Sequence, residues 1–157
     1  AVVLDFAKEA AANPEFCLDV SHVQAWEKAN GAIPKGAWVM FRTGWSKFGD
    51  DAKAFANADE NGPHTPGLTV ECAEYFATKT EILGMGVETV GTDAGGAFGF
   101  SMPFPCHTLF LGNNKYGLTQ LRNLDKLPTT GAIVIAAPLK IVGGSGSPCR
   151  VLALVAK

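Results

Sequence analysis

Hydrophobic positions in this chain come in short blocks separated by glycine, proline and charge, and the pattern alternates between strand-like and helix-like segments without a linker. Val2-Val3-Leu4-Asp5-Phe6 reads as an interior strand. Ser21-His22-Val23-Gln24 has the form of a capping box, and Gly31 follows Asn30, so a short helix is predicted between them. Ala37 to Thr43 is β-branched and aromatic, follows the Pro34-Lys35-Gly36 turn, and predicts a strand buried on at least one face. Asp51 to Asn57 predicts another short helix. Asn61 to Gly67 holds two prolines and two glycines and reads as a loop, because neither residue extends a helix or a strand. Thr69 caps a helix over Val70 to Thr78, and Glu81 to Glu88 predicts a strand.

The stretch from Gly91 to Pro105 is rich in glycine, aromatic residues and proline, which suits a loop lying across a site, with Phe98, Phe100 and Phe104 able to wall a pocket. His107 is expected to begin a short helix over Thr108 to Leu111. Three further strands are predicted at Lys115 to Thr119, Ala132 to Ala137 and Arg150 to Val155; the second is apolar enough to be buried on both faces. Gly143-Gly144-Ser145-Gly146-Ser147-Pro148 lacks the Gly-Lys-Ser/Thr ending of a phosphate loop and reads as a turn between the last two strands.

Composition narrows the classes. A chain of 157 residues with 47% hydrophobic residues suits a single domain spanning residues 1–157 with its own core. The net charge of −2 and the scattered single basic residues give no nucleic-acid footprint. Apolar runs fall short of the roughly 20 residues needed to span a bilayer, so no membrane is expected. Four cysteines without a Cys-x-x-Cys pair suit a reducing, cytoplasmic compartment.

The stretch richest in chemistry is Phe104-Pro105-Cys106-His107 followed by Tyr116-Gly117-Leu118-Thr119-Gln120-Leu121 and Asn123-Leu124-Asp125-Lys126-Leu127-Pro128. It places one imidazole near a short strand bearing a hydroxyl and an amide. Taken with Ile82-Leu83-Gly84-Met85-Gly86-Val87-Glu88-Thr89 upstream, and with Pro138-Leu139-Lys140-Ile141 and Arg150-Val151-Leu152-Ala153-Leu154 downstream, it resembles the cyclase family of metal-dependent amide and imide hydrolases. The resemblance runs collinearly from about Val2 to Val155. That family includes kynurenine formamidases and isatin hydrolases.

The resemblance implies an α/β fold, a mixed and partly barrel-like sheet with peripheral helices. It implies metal-assisted hydrolysis of a cyclic amide, imide or aryl formamide, with manganese or zinc as the divalent ion. The family's metal motif, His-x-Gly-Thr-His-x-Asp, does not occur here, and His22, His64 and His107 lie far apart. The chain is therefore expected to be the C-terminal portion of the family domain, with metal ligands in an upstream half or companion chain. A small-molecule substrate and a homo-oligomer are the other expected partners.

In the formamidase branch a glutamate follows the matching histidine by about twelve residues and binds metal; here that alignment falls on Thr119, with Gln120 beside it. Neither carries the charge that offsets a divalent ion, so a mononuclear site and the isatin hydrolase branch are the closer match. The site expected from the resemblance has His107, Thr119 and Gln120 at the chemistry and Trp45, Phe100 and Phe104 against substrate. Glu88 and Asp93 act in support. On the residues alone His107 also suits a structural role, Thr119 an inward strand position, and Trp45 an ordinary core or interface. Two rivals stand beside the hydrolase: a noncatalytic small-molecule-binding domain of the same fold, and a thiol hydrolase using Cys106.

Overall fold

In the computed structural model, which describes residues 1–156, the chain opens with strand β1 (Val2–Asp5), helix α1 (Ala7–Ala12), strand β2 (Cys17–Leu18) and helix α2 (Val20–Asn30). Strand β3 (Trp38–Arg42) leads through a 3₁₀ turn at Trp45–Phe48 into α3 (Ala52–Ala56), the two-residue strands β4 (Ala58–Asp59), β5 (Gly62–Pro63) and β6 (Gly67–Leu68), and helix α4 (Val70–Thr78). Strand β7 (Gly84–Val87), a long loop, β8 (Tyr116–Leu118), β9 (Ile133–Pro138) and β10 (Cys149–Leu154) complete it.

Strands β1, β3, β7 and β8 pair in parallel in that order. Their period-two alternation sorts side chains onto two faces. Val2, Leu4, Val39, Phe41, Met85 and Val87 join the core formed with Val23 of α2 and Cys72, Ala73 and Phe76 of α4. Val3, Trp38, Met40 and Leu118 turn the other way, onto a second cluster with Val134, Ala136 and Val151 from β9 and β10. The Gly-Met-Gly-Val sequence of β7 follows from this second face. A Cβ on Gly84 would stand 2.5 Å from the Trp38 ring, and one on Gly86 would stand 2.6 Å from Met40 Sδ and Leu121 Cδ1.

Strands β9 and β10 form an antiparallel ribbon that continues from the β1 edge, where Val3 N–H donates to Thr129 O and Val2 bridges Thr130. The ribbon folds over the second face, so parallel and antiparallel strands together make the mixed, curled α/β arrangement that the resemblance implies.

Several local expectations shift. The α2 cap is Asp19, whose carboxylate accepts His22 N–H at 3.0 Å while His22 Nδ1 accepts Asp19 N–H at 3.2 Å. The capping box therefore starts two residues earlier than Ser21. The alanine-rich α1 had no predicted counterpart, and the proline-glycine loop 61–67 contributes two short bridges. Strand β9 is not buried on both faces. Ile133 and Ile135 face outward beside Leu154 and Leu152, because a two-stranded ribbon laid on a sheet covers one of its own faces. The other elements, including the Thr69-capped α4, fall within a few residues of their predicted places.

Candidate active site

The parallel strands end side by side, at Arg42-Thr43 after β3, Glu88-Thr89 after β7 and Thr119-Gln120 after β8. Carboxyl ends of parallel strands are where ligands of open α/β sheets bind. The segment 89–93 organises this edge: Thr89 O accepts Gln120 N–H at 2.9 Å, and Asp93 holds His107.

Asp93 is almost wholly buried. One oxygen accepts Cys106 N–H at 2.6 Å; the other accepts His107 N–H at 3.2 Å and His107 Nδ1–H at 2.5 Å. A carboxylate can only accept, so the neutral imidazole carries its proton on Nδ1 and presents the Nε2 lone pair outward. The His107 side chain is 60% exposed against 5% for Asp93, which leaves Nε2 accessible. The backbone here is a single π turn, Cys106–Phe110, closed by Leu111 N–H onto Cys106 O. Such turns are rare and concentrate at functional sites. The turn replaces the expected ordinary helix.

Cys106 itself points inward. Its thiol is fully buried, donates to Thr92 O, and is pushed well above its ordinary pKa by burial and then by Asp93. That environment suppresses the thiolate that a nucleophile needs.

Glu88 is 1% exposed and closes the neighbouring strand end. Oε2 accepts Thr43 N–H at 2.7 Å and Gly44 N–H at 2.5 Å, while Oε1 accepts Ser46 O–H at 2.7 Å. Gly44 has φ +69°, the left-handed conformation that the turn into Trp45 requires. Ser46 is a partner that sequence reasoning missed; the acidic strand end was legible, but not the hydroxyl it would meet.

Thr119 and Gln120 are exposed and line a cavity of about 1030 Å³ between the segment after β8 and the β9–β10 ribbon, together with Met40, Leu124, Val134 and Val151. His107 lies outside its wall. Gln120 has φ +57°. Trp45 is 5% exposed, stacks edge-on against Phe48 and donates its indole N–H to Phe55 O at 2.9 Å, so its ring and polar tip are both engaged in packing α3. Phe100 is half-buried, and Phe104 is 47% exposed with φ +50°.

Among the described residues, no three His, Cys, Asp or Glu side chains converge to hold a metal ion. Both oxygens of Asp93 and both of Glu88 are occupied by N–H or O–H donors. The residues present therefore do not by themselves fit a divalent ion. His107 Nε2 could add a single contact.

Residues 1–94 match the family model Cyclase, described as "Putative cyclase", and the chain belongs to the cyclase family. Within it the similarity is to isatin hydrolases. That of Roseibium aggregatum is 53% identical over 155 residues, which is 99% of this chain and 59% of the relative's length. Isatin hydrolase A from Ralstonia solanacearum superposes with a TM-score of 0.97 at 52% identity over 99% of this chain and 59% of the other. The crystal structure of an isatin hydrolase bound to the product analogue thioisatinate gives 0.96 and 52% over the same shares. The chain thus spans about three-fifths of the length of the relatives it matches. No helix of the described residues is long and apolar enough to cross a membrane.

Proposed function

We propose that this chain forms the proton-handling part of a hydrolase of the isatin type, which opens a flat cyclic imide or lactam at its ring C–N bond. Water adds to the ring carbonyl, the C–N bond breaks and the nitrogen gains a proton, so one product molecule carries a carboxylate together with an amine where the ring was a lactam, or a carboxamide where it was an imide. The observation that carries this reading is the Asp93–His107 pair, an imidazole whose tautomer is set by a buried carboxylate and whose Nε2 is left accessible at the carboxyl edge of a parallel sheet. Identity above 50% to isatin hydrolases across nearly the whole chain supports the substrate class.

In this reading His107 takes a proton from the attacking water and returns one to the leaving nitrogen, and Asp93 holds its ring in the productive tautomer. Gln120 offers an amide donor and acceptor to the substrate's ring carbonyl or N–H, and Thr119 a hydroxyl beside it. Phe100 and Phe104 supply aromatic surface. Trp45, with its polar tip and ring already engaged, serves by fixing the turn that Glu88 closes. The divalent ion, manganese or zinc, draws its ligands from residues outside this chain, in the upstream part of the family domain; when bound it supplies carbonyl polarisation and an acidified water. The protein acts in the cytoplasm, a setting that its four free cysteines suit, and as a homo-oligomer.

The test uses protein of the relatives' full length, loaded with metal. His107→Ala is expected to lower turnover of isatin by roughly 10²- to 10⁴-fold; unchanged turnover would make His107 structural. Wild-type protein that binds isatin without hydrolysing it would support the noncatalytic binding domain instead.

A further inference from the structure

His64 has a carboxylate on each side of its ring. Nδ1 lies 2.8 Å from Glu15 Oε1, ahead of β2, and Nε2, itself shielded from solvent, lies 3.1 Å from Asp59 Oδ1 on β4. A carboxylate can only accept, so both contacts are satisfied together only when both ring nitrogens carry a proton. A neutral ring has one proton to donate, and its other nitrogen turns a lone pair toward a carboxylate. The geometry is therefore that of the imidazolium. Glu15 first and then Asp59 are the charged groups that act on this ring, and they raise its pKa above the ordinary 6.5. The loop packed against this segment, residues 94–99, carries no charged residue, and both oxygens of Asp93 are turned to Cys106 and His107.

The backbone under His64 is fastened to that loop. Within the hairpin His64 N–H donates to Asn57 O at 2.9 Å, and the Asn57 amide donates back to His64 O at 2.6 Å. On either side of His64 the chain lies on Gly95, where a Cβ would stand 2.2 Å from Pro63 O and 2.6 Å from Thr65 N. Gly95 N–H donates to Thr65 O at 2.9 Å, and Thr65 is 2% exposed. Glu15 borders the same loop, since its Oε1 is 4.0 Å from where a Cβ on Gly96 would stand. Two residues before Gly95, Asp93 holds the His107 ring and the first N–H groups of the π turn.

We infer that His64 is a positioning residue for His107: bridging Glu15 and Asp59 as a cation, it clamps residues 63–67 onto the loop whose Asp93 orients the imidazole. The inference rests on the hydrolase reading for its effect on turnover, but not for its effect on the loop. Both contacts of the clamp are made below the pKa of His64, and one of them is lost as pH rises through that value.

The experiment compares wild type, His64→Gln, Glu15→Gln and the double variant as full-length, metal-loaded proteins at pH 6 and pH 8.5, well below their melting temperatures. The readouts are kcat for isatin and the exchange of the Gly95 and His107 amide protons. Exposed ion pairs contribute little, so at pH 6 each single variant is expected to lower kcat, and to speed both exchanges, by about 3-fold relative to wild type. At pH 8.5 the difference from wild type is expected to shrink toward none. The double variant is expected to lose no more than either single one, because all three break the same clamp. A kcat ratio that does not change with pH, or additive losses in the double variant, would overturn the inference. So would faster exchange at Gly95 with His107 exchange and kcat unchanged. Should wild type fail to hydrolyse isatin, the hydrolase reading fails, and the exchange of the Gly95 and His107 amides alone decides the role of His64.

Discussion

His107 and Asp93 meet at 2.5 Å across a sharp change of environment, the carboxylate 5% exposed and the imidazole 60%. Asp93 also accepts the backbone N–H groups of Cys106 and His107, so one side chain both starts the π turn and orients the ring it carries. Asp93→Asn separates these tasks. Its amide oxygen can still accept from the ring, but the NH₂ group turns a donor toward a backbone N–H. Turnover is expected to fall roughly 10- to 100-fold, as for other residues that orient an active imidazole. Denaturant unfolding should show a loss of about 1–3 kcal/mol from the donor left unpaired. A variant with full activity would show that an accepting oxygen suffices to orient the ring and that the carboxylate's charge is not needed.

Glu88 gives a graded test of the neighbouring turn. In Glu88→Gln the amide oxygen can keep the Thr43 and Gly44 N–H groups while the NH₂ faces a Ser46 hydroxyl able to accept, so the cost is about 1–2 kcal/mol. Glu88→Ala strands two backbone donors and should cost about 3 kcal/mol or more. Equal melting temperatures for the two variants would show that the turn at Gly44 stands without the carboxylate.

Much of the fold was legible because β1 and β3 are short continuous apolar runs, as strands covered on both faces are, β7 follows a helix stop, and α4 carries its own threonine cap. What stayed hidden depends on partners distant in sequence. The exposed face of β9 reads as core in one dimension, since an apolar run does not say whether anything covers its second side. At the site, the acidic residues and His107 were legible as chemistry, but Asp93 stands 14 residues from His107 and their pairing is visible only in three dimensions. The left-handed backbone of Phe104 had a faint signal in its two flanking prolines.

His64 links three segments away from the site. Its Nδ1 lies 2.8 Å from Glu15 and its Nε2 3.1 Å from Asp59, and these two carboxylates raise its pKa above the ordinary 6.5. A raised folded-state pKa means that the contribution is complete below the unfolded value and is lost as pH rises through the folded one. His64→Gln is therefore expected to lower the melting temperature more at pH 6 than at pH 8.5. The gap should be small, because the pairs are exposed, and it should narrow with salt. A gap independent of pH would show that the ring acts through neutral hydrogen bonds.

Two glycines with similar-looking contacts should respond differently to alanine. A Cβ on Gly67 would lie 2.1 Å from Ala94 N and 2.4 Å from Ala94 Cα, so the clash is with backbone next to Asp93. On Gly86 the nearest atoms, at 2.6 Å, are the far ends of Met40 and Leu121, which can turn aside. Gly86→Ala should then cost about 1 kcal/mol, whereas Gly67→Ala should cost about 3 kcal/mol or more and displace the 93–97 loop. Because that loop holds both His107 and Phe104, Gly67→Ala is also expected to lower turnover beyond what its lost stability explains. Measuring isatin hydrolysis well below the melting temperature of each variant separates the two effects. Normal kcat in Gly67→Ala would show that the loop reaches its working geometry without the close approach at Gly67.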